Sequence, residues 1–413
     1  MSSSSITSEA RQPGFIQGIM LLLPITMYVI GTSVFTATIS VTQEFFKDVP
    51  HANILVNLMQ TMPAIWVVIF ATVAGWLADR FGRMKILLWA MFIYAIVGTV
   101  PFFLENIYLI LVTRCAVGIC EAVVLVSTTA MIGDYFSGRS RERWLAGQTG
   151  LATLAAIFVV WAGGVLGGIF GWQGPFLIYM YSFVLAFGVA FFCWEPPRRT
   201  AKEEEAEGIV VLFTKIPMAR MLGICAVTVF GSLLFYTPIT QNANAFVSLG
   251  LHDTNRIGQF SSLAALGVPV GTVIFWFIGR IKTAWLLLIS FALNCFGFYL
   301  MSRATTPINY TWAAQIQQLG CGLILPTLLV WAQYGMAFSI RGRAVGMWQA
   351  AYAVGLFVSG ATITIMATAL GQGNQLAGML PAFGKLSIAC GIAAVVSLIS
   401  GVVKRSPAST ASA

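Results

Sequence analysis

Long apolar segments, separated by short polar interruptions, follow one another through almost the whole chain. Each is about as long as the roughly 20 residues that an α-helix needs to cross the hydrocarbon of a bilayer. Helices are the expected form, because unpaired backbone groups cannot lie in lipid. The pattern predicts twelve spans, numbered 1 to 12 below, at residues 16–42, 52–77, 86–104, 107–133, 145–170, 174–194, 221–247, 257–278, 284–302, 308–338, 345–370 and 379–402.

The composition supports a membrane location. Apolar residues make up 58% of the 413 residues and charged residues only 9%, which is too few for a water-soluble surface. The fold class that follows is an all-α membrane protein with twelve transmembrane helices, and the lipid bilayer is its expected partner.

Basic residues divide unevenly between the two sets of predicted loops. Lys and Arg near short loops stay on the cytoplasmic side of a membrane. If both termini are cytoplasmic, the outer loops hold only Lys47, Arg256, Arg303 and Lys385. We therefore expect a multi-pass protein of the cell (inner) membrane with both termini in the cytoplasm. This topology explains the net charge of +9, so no nucleic-acid partner is required.

The longest polar interruption divides the chain near its centre. The predicted parts are a cytoplasmic N-terminal tail, a six-helix bundle, a cytoplasmic linker, a second six-helix bundle and a cytoplasmic C-terminal tail, at residues 1–15, 16–194, 195–220, 221–403 and 404–413. The halves repeat a short sequence, because Gly82-Arg83-Met84-Lys85 after span 2 is matched by Gly279-Arg280-Ile281-Lys282 after span 8. Related bundles of this kind place a solute site between them at mid-membrane.

A charged loop punctuated by glycines joins spans 2 and 3, and its sequence is Gly75-Trp76-Leu77-Ala78-Asp79-Arg80-Phe81-Gly82-Arg83-Met84-Lys85. It resembles the loop between helices 2 and 3 of the major facilitator superfamily (MFS), whose pattern is Gly, three residues, Asp-Arg, one residue, Gly-Arg and a basic cluster. Only Met84 departs from that pattern. The resemblance implies the MFS fold of two pseudo-symmetric bundles, transport by alternating access, and a conformational latch at Gly75, Asp79, Arg80, Gly82, Arg83 and Lys85. The alternative is an ordinary basic loop.

The second half of the chain lacks the charged part of this loop. Trp276 and Phe277 stand where the first half has Asp79 and Arg80. We therefore expect an asymmetric latch, in which the outward-facing state depends mainly on span 2 contacting span 11 near residues 343–348. In that contact Asp79 would meet the N-terminus of a facing helix.

Two ionisable residues, Arg114 and Glu121, lie inside span 4. A charge within a span costs about 2.5 to 3.5 kcal/mol on insertion scales, so such residues are functional candidates. Their spacing of seven puts them on one face of the helix, about 10 Å apart along its axis. We predict that Arg114 takes part in proton coupling and that Glu121 carries the proton or contacts the solute. The alternative is a pair that only fixes helix packing.

This segment also resembles the MFS pattern for helix 4, which is Arg, two residues and Gln-Gly. Arg114 and Gly118 match, whereas Val117 replaces the Gln and Glu121 stands at a position that is usually small. The resemblance therefore does not account for the acid at position 121.

A solute site at mid-membrane would draw on polar and aromatic side chains at that depth. By residue count these are Tyr28, Thr32, Glu121, Tyr236 and Gln318. One acid, a nearby base, hydroxyl groups and aromatic rings suit a small amphipathic organic solute.

The direction of transport stays open between uptake with protons and efflux in exchange for protons. The Gly171-Trp172 and Pro175-Phe176 pairs beyond span 5 resemble the family, but the Gly-Pro step of its antiporters is replaced by Gly163-Gly164.

Other classes of function fit the sequence less well. The only histidines, His51 and His252, fall in predicted outer loops, so we expect neither a metal site nor a cofactor. The chain has no hydrolase nucleophile motif and no nucleotide-binding loop, so an enzyme or an ATP-driven pump is not expected. We expect a monomer. A solute sensor of the same fold, without transport, is the remaining alternative.

Overall fold

A computed structural model of the protein describes residues 13–195, 217–334 and 338–403. Most of the predicted tails and linker, at 1–12, 196–216 and 404–413, lies outside the described residues, as does the side chain of Arg343. The predicted domain boundaries therefore stay predictions.

The described residues form helices and no strands, which confirms the predicted fold class. In chain order the helices are Phe15–Leu22, Ile25–Ser33 and Ile39–Phe45 (span 1), Ala52–Phe81 (2), Arg83–Thr99 (3), Ile107–Tyr135 (4), Gly138–Phe170 (5), Tyr181–Phe192 (6), Met218–Ser248 (7), Thr254–Ala265 and Gly267–Ile278 (8), Thr283–Ser302 (9), Pro307–Gln333 (10), Phe338–Leu370 (11) and Gln375–Val403 (12). Eleven stretches of the described residues are long and apolar enough to cross a membrane. One of them, Gly138–Phe192, contains both span 5 and span 6, which gives the twelve crossings.

The connections between spans lie at two opposite faces of the molecule. We call the face that carries Gly14, Gly82 and Ser137 the terminal face, and the face that carries His51 and Gly171 the distal face. The described N-terminal end of the chain and the end of span 12 both lie at the terminal face.

Span 1 is broken twice. Pro24 separates its first two helices, and the Thr26 hydroxyl donates to the Leu23 carbonyl at 2.7 Å. Between the second and third helices, the Thr36 hydroxyl donates to the Ser33 carbonyl at 2.7 Å. The Leu23 and Ser33 carbonyls also accept from the backbone nitrogens of Thr26 and Thr36, so each hydroxyl adds a second hydrogen bond at a break in the helix. Span 1 is therefore a jointed helix beside the centre of the molecule.

The outer surface of both bundles is apolar. Large side chains that are more than half exposed stand on it, among them Phe103, Phe158, Phe191, Trp276 and Ile392. An exposed apolar surface of this extent fits contact with lipid. Polar side chains are instead gathered inside, and they define the candidate site.

Candidate functional site

Arg114 is completely buried and enclosed by aromatic rings. Its Nη1 donates to the Tyr179 hydroxyl at 2.6 Å. Its guanidinium carbon lies 4.8 Å from the centre of the Tyr179 ring and 5.5 Å from the centres of the Phe35 and Phe176 rings. Because ring faces attract cations, these contacts offset part of the cost of burying the charge. Its Nε and Nη2 have no hydrogen-bond partner among the described residues.

The short 3₁₀ segment Gly171–Met180 supplies two of these rings. Side chains three residues apart lie on the same side of a 3₁₀ helix, so Phe176 and Tyr179 both reach Arg114. The segment begins at Gly171, whose φ of 70° favours glycine. The motif at the end of span 5 thus folds back into the first bundle and positions the arginine.

Glu121 is also completely buried, and it lies against span 1. Neither of its carboxyl oxygens has a hydrogen-bond partner among the described residues. A methyl group on Gly31 would overlap its Oε1 atom. Its electrostatic neighbours include Arg114, Tyr28 and Tyr236. The acid therefore occupies a confined position where no described group donates to it.

Arg114 and Glu121 form no ion pair in the described structure, as their spacing along span 4 predicts. Tyr94 of span 3 interacts electrostatically with both residues. Its hydroxyl donates to the Met27 carbonyl at 2.6 Å, and its ring centre lies 5.0 Å from that of Tyr179. The two charged residues are thus linked through tyrosines rather than by direct contact.

Tyrosines from both bundles meet next to Glu121. Tyr28 of span 1 interacts electrostatically with Tyr236 of span 7, and the Tyr352 hydroxyl of span 11 donates to that of Tyr236 at 2.9 Å. Trp348 stacks on Tyr352 with ring centres 5.7 Å apart. We call Tyr28, Tyr236, Tyr352 and Trp348 the aromatic group. The structure therefore brings together three of the five predicted solute residues, namely Tyr28, Tyr236 and Glu121.

Thr32 and Gln318 are buried at helix contacts. The Thr32 hydroxyl donates to the Tyr28 carbonyl of its own helix at 3.1 Å, and the Thr32 carbonyl accepts from Gln60 at 2.7 Å. Gln318 of span 10 donates to the Phe235 carbonyl of span 7 at 3.4 Å. In this conformation both side chains join helices, and their predicted contact with solute stays a prediction.

A buried cluster of amides joins the two bundles on the distal side of the aromatic group. Gln241 Nε2 of span 7 lies 3.1 Å from Asn57 Oδ1 of span 2, 3.1 Å from the Gly360 carbonyl and 3.2 Å from Thr364 Oγ1 of span 11. Asn57 Nδ2 also donates to Thr364 Oγ1 at 3.0 Å. We call Asn57, Gln241 and Thr364 the amide seam.

The amide seam was not among the predicted site residues. The signal for it was present in the sequence, because amides inside apolar spans are costly unless they are paired. Asn57 and Gln60 are two such amides in span 2, and both are fully buried. What the sequence did not reveal was that their partners lie in the other bundle.

A second contact between the bundles is made by glycines of spans 5 and 8. A Cβ on Gly164 would lie 2.7 Å from the Gly258 Cα. The Ser262 hydroxyl donates to the Ile157 carbonyl at 3.1 Å across the same contact. The Gly163-Gly164 pair thus serves close packing, since Gly163 faces the Val34 carbonyl of span 1. The amide seam and this glycine contact both lie toward the distal face, so we describe this conformation as distal-closed.

The predicted latch lies at the terminal face, and its described contacts stay within the first bundle. Arg83 Nη2 lies 3.0 Å from Asp79 Oδ1, and Arg83 Nη1 pairs with Asp134 of span 4. The guanidinium of Arg80 lies 5.2 Å from the centre of the Trp76 ring, and Lys85 is exposed.

Two glycines of the same loop have different surroundings. Gly82 has a φ of 101°, and the Glu195 carboxylate accepts from the backbone nitrogens of Arg83 and Met84 beside it at 2.7 and 3.0 Å. A Cβ on Gly75 would meet only Val126, at 3.8 Å, so no close helix contact exists there in this conformation. The latch between spans 2 and 11 stays a prediction about the opposite, distal-open state.

Comparisons with known proteins agree with this architecture. The sequence profile of the Major Facilitator Superfamily matches residues 17–360. The quinolone resistance protein NorB of Staphylococcus aureus (strain bovine RF122 / ET3-1) is 22% identical over 306 residues, which are 70% of this chain and 63% of NorB. The chain thus spans less than two thirds of the length of this curated relative.

Two solved structures share the fold. The inward-facing, unoccupied structure of a bacterial homologue of the human lysosomal transporter Spinster has a TM-score of 0.75 and 16% identity, covering 96% of this chain and 100% of that one. A D-xylose–proton symporter has a TM-score of 0.74 and 15% identity, covering 93% of this chain and 97% of the symporter. At these identities the likeness shows the fold alone.

Proposed function

Because the chain belongs to the major facilitator superfamily, we propose that it is a proton-linked secondary transporter that moves a small amphipathic organic solute by alternating access. One observation carries the proton-linked part: Glu121 is fully buried, has no described donor, and lies beside tyrosines of both bundles. Burying an ionised carboxylate without a partner is very costly. We therefore infer that Glu121 holds a proton in the distal-closed state and releases it when the bundles move.

Arg114 is proposed to tune this step. It is the positive group that interacts with Glu121 along span 4, and its position is fixed by Tyr179. A permanent cation held at a set distance favours release of the proton once water reaches the acid. The alternative, a packing role for both residues, is tested in the Discussion.

The aromatic group is proposed as the solute site. Tyr28 and Tyr352 are partly exposed, whereas Tyr236 between them is buried. Tyrosine and tryptophan offer ring faces together with hydrogen-bonding groups, which suits a solute that has both an apolar body and a polar end. Thr32 and Gln318 are kept in the proposal as residues that contact solute only after the helices rearrange.

The terminal face is proposed to be cytoplasmic, with the protein a monomer in the cell (inner) membrane. The uneven distribution of basic residues supports this orientation. In that orientation the distal-closed state is inward-facing.

Two directions of transport are carried forward. Uptake together with protons is the first, and efflux of a drug or metabolite in exchange for protons is the second. The similarity to NorB, whose name refers to quinolone resistance, favours efflux. In both cases Glu121 binds and releases the proton. In uptake the solute binds together with the proton, whereas in efflux the solute and the proton replace each other.

Transport by the purified protein in proteoliposomes tests this proposal. Candidate solutes are first selected by their ability to raise the melting temperature. We expect flux of a selected solute to be driven by an imposed pH gradient and to collapse with a protonophore. A gradient that is acidic outside should drive uptake for a symporter, whereas an antiporter should respond with the opposite sign. Binding without any flux would contradict the proposal and favour a sensor.

A further inference from the structure

A cavity of about 560 Å³ opens at the distal face, between the start of span 2 and the end of span 11. The first bundle lines it with Lys47, His51 and Ile54, and the second bundle lines it with Thr364, Ile365 and Ala369. We call it the distal cavity. Its size is within the range of sites for small organic molecules, about 300 to 1,000 Å³. None of the residues proposed above to bind the proton or the solute lines it, so it is a separate site.

The polar groups on the first-bundle side of the distal cavity favour an anion. Span 2 begins there, and the backbone nitrogen of Asn53 in its first turn has no hydrogen-bond partner among the described residues. The N-terminus of a long helix carries partial positive charge. Lys47 adds a full charge, and its ammonium group, which has three donors, gives one of them to Glu44 at 2.9 Å. The acids that interact with Lys47 are Glu44 and Asp48, and neither lines the cavity.

Thr364 offers a hydrogen-bond donor from the second bundle. It is the buried polar residue of the distal cavity, with only 2% of its surface exposed. Its Oγ1 accepts from Asn57 Nδ2 at 3.0 Å and lies 3.2 Å from Gln241 Nε2. It donates to no described acceptor, whereas the hydroxyls of Thr228 and Thr327 donate to the carbonyl four residues earlier. Because a hydroxyl has one donor and two acceptor sites, its hydrogen is left for an occupant of the cavity.

We propose that the distal cavity binds an amphipathic organic carboxylate and that this occupant stabilises the distal-closed state. Lys47 and the start of span 2 would donate to the carboxylate from the first bundle, and the Thr364 hydroxyl from the second. The apolar part of the ligand would lie against Ile54 and Ile365. Because both bundles supply contacts, opening the distal face would divide the site.

The size of the effect on conformation follows from mass action. A ligand that binds only the distal-closed state, present at ten times its dissociation constant, raises the ratio of distal-closed to distal-open protein about 11-fold. Alternating access needs both states. A carboxylate on the distal side would therefore slow solute exchange without occupying the aromatic group.

Binding is tested with full-length protein in phosphatidylcholine nanodiscs, with radiolabelled octanoate as the probe and equilibrium dialysis as the measurement. Empty nanodiscs give the background, because octanoate also enters lipid. Octanamide, which has the same chain without the charge, is the matched control ligand. We expect saturable binding of one octanoate per protein and weaker binding of octanamide. This measurement does not require transport, so it stands or falls independently of the proposed transport function.

A pair of charge variants tests the role of Lys47. Lys47→Gln should weaken octanoate binding by about 5-fold, the upper range for an exposed ion pair. Arg256→Gln is the matched control, because Arg256 also lies at the distal face, pairs with an acid three residues earlier, Asp253, and does not line the cavity. It should leave the affinity for octanoate unchanged.

A pair of size variants locates the site. Ala369→Trp places a large side chain in the distal cavity and should abolish octanoate binding. Thr362→Trp adds the same group to an exposed position of span 11 that does not line the cavity, and it should bind octanoate as wild type does. Melting temperatures without octanoate establish that both variants are folded.

Three results would overturn the proposed site. They are binding no greater than that of empty nanodiscs, equal binding of octanoate and octanamide, and unchanged binding in folded Ala369→Trp. Displacement of octanoate by the transported solute would also overturn it, because octanoate would then lie at the aromatic group.

Solute exchange at equal pH on both sides tests the effect on conformation. Equal pH is used because a weak acid dissipates a pH gradient. Octanoate should slow exchange by the wild-type protein but not by Ala369→Trp, and octanamide should slow neither. If octanoate binds in the cavity and exchange keeps its rate, the proposed stabilisation of the distal-closed state is wrong.

Discussion

Gln241 of span 7 donates its side-chain amide to Asn57 of span 2 at 3.1 Å, so that a hydrogen bond between two fully buried side chains joins the bundles. Two neutral amides make this contact, and no salt bridge between bundles accompanies it among the described residues. Alternating access requires every contact of this kind to break in each cycle. A few neutral hydrogen bonds suit that requirement, since each contributes only about 1 kcal/mol to stability.

Replacing Gln241 with Ala should shift the protein away from the distal-closed state. The change removes one hydrogen bond between the bundles, the bond to Asn57, or about 1 kcal/mol, which corresponds to roughly 5-fold in the ratio of the two states. Spin labels at Asp48 and Gln372, both exposed at the distal face, would report the change as a longer distance. The labels require a background without the native cysteines that still transports.

Gln259→Ala is the matched control for this variant. Gln259 is an exposed amide near the distal end of span 8, and its described hydrogen bond is to Asn255 of the same helix. Gln259→Ala should leave the distribution of distances between the two spin labels unchanged. If Gln241→Ala gave the same distribution as this control, the amide seam would have no part in closing the distal face.

Gly164→Ala should destabilise the distal-closed state through the glycine contact between spans 5 and 8. The new methyl group would lie 2.7 Å from the Gly258 Cα, and a backbone atom cannot rotate out of the way. Overpacking of this kind costs about 1 to 3 kcal/mol. We expect slower solute exchange and a longer distance between spin labels at Asp48 and Gln372.

Span 5 provides its own control for that experiment. A Cβ on Gly150 would meet no atom within 4 Å in the described structure. Gly150→Ala should therefore keep wild-type exchange. Equal rates for Gly150→Ala and Gly164→Ala would mean that spans 5 and 8 need not approach as closely as they do here.

The number and approximate positions of the spans could be predicted from the sequence, because spanning a bilayer sets a minimum length for each apolar segment. The two breaks in span 1 and the 3₁₀ segment Gly171–Met180, where span 6 was predicted to begin at residue 174, could not. The burial of Arg114 and Glu121 inside the protein could be predicted for a similar reason, since a charge that faces lipid is costly, and their functional role stays a prediction. The position of a span and the cost of placing a charge within it both depend on one segment of the chain. They do not require knowledge of how the segments pack.

Contacts between distant segments could not be predicted in this way. Arg114 meets Tyr179, which is 65 residues away, because a 3₁₀ segment folds back into the bundle. Depth counted along span 1 placed Thr32 at mid-membrane, but a threonine hydroxyl can bind its own helix instead, and this one donates to the Tyr28 carbonyl. The pairing of Asn57 with Gln241 likewise depends on how the two bundles are oriented, because it forms where the distal face is closed.

Asp79→Asn should reduce transport while leaving folding intact. In the distal-closed state Asp79 pairs only with the neighbouring Arg83 in the described structure, and its side chain is 59% exposed. An exposed pair contributes little to stability, about 0.2 to 1 kcal/mol. If the carboxylate meets span 11 in the distal-open state, losing it should slow the step that closes the terminal face. Solute exchange and the melting temperature together check this expectation.

The exposed pair of Glu44 and Lys47 at the distal face provides the control for Asp79. Its atoms lie 2.9 Å apart, and the Glu44 side chain is 72% exposed. Glu44→Gln should change neither exchange nor melting temperature. Unchanged exchange in Asp79→Asn would refute the latch role and favour an ordinary basic loop.

Glu121→Gln tests proton coupling most directly. Glutamine keeps the shape of the protonated acid and is uncharged, so the distal-closed packing against Gly31 should persist. It cannot release a proton, so a pH gradient should no longer drive solute movement, whereas exchange driven by the solute gradient should lose its dependence on pH. The measurements are flux with a pH gradient, exchange at several equal pH values, and the melting temperature. If pH-driven flux and pH-dependent exchange both persisted in a folded Glu121→Gln protein, Glu121 would be a packing residue and the proton site would lie elsewhere.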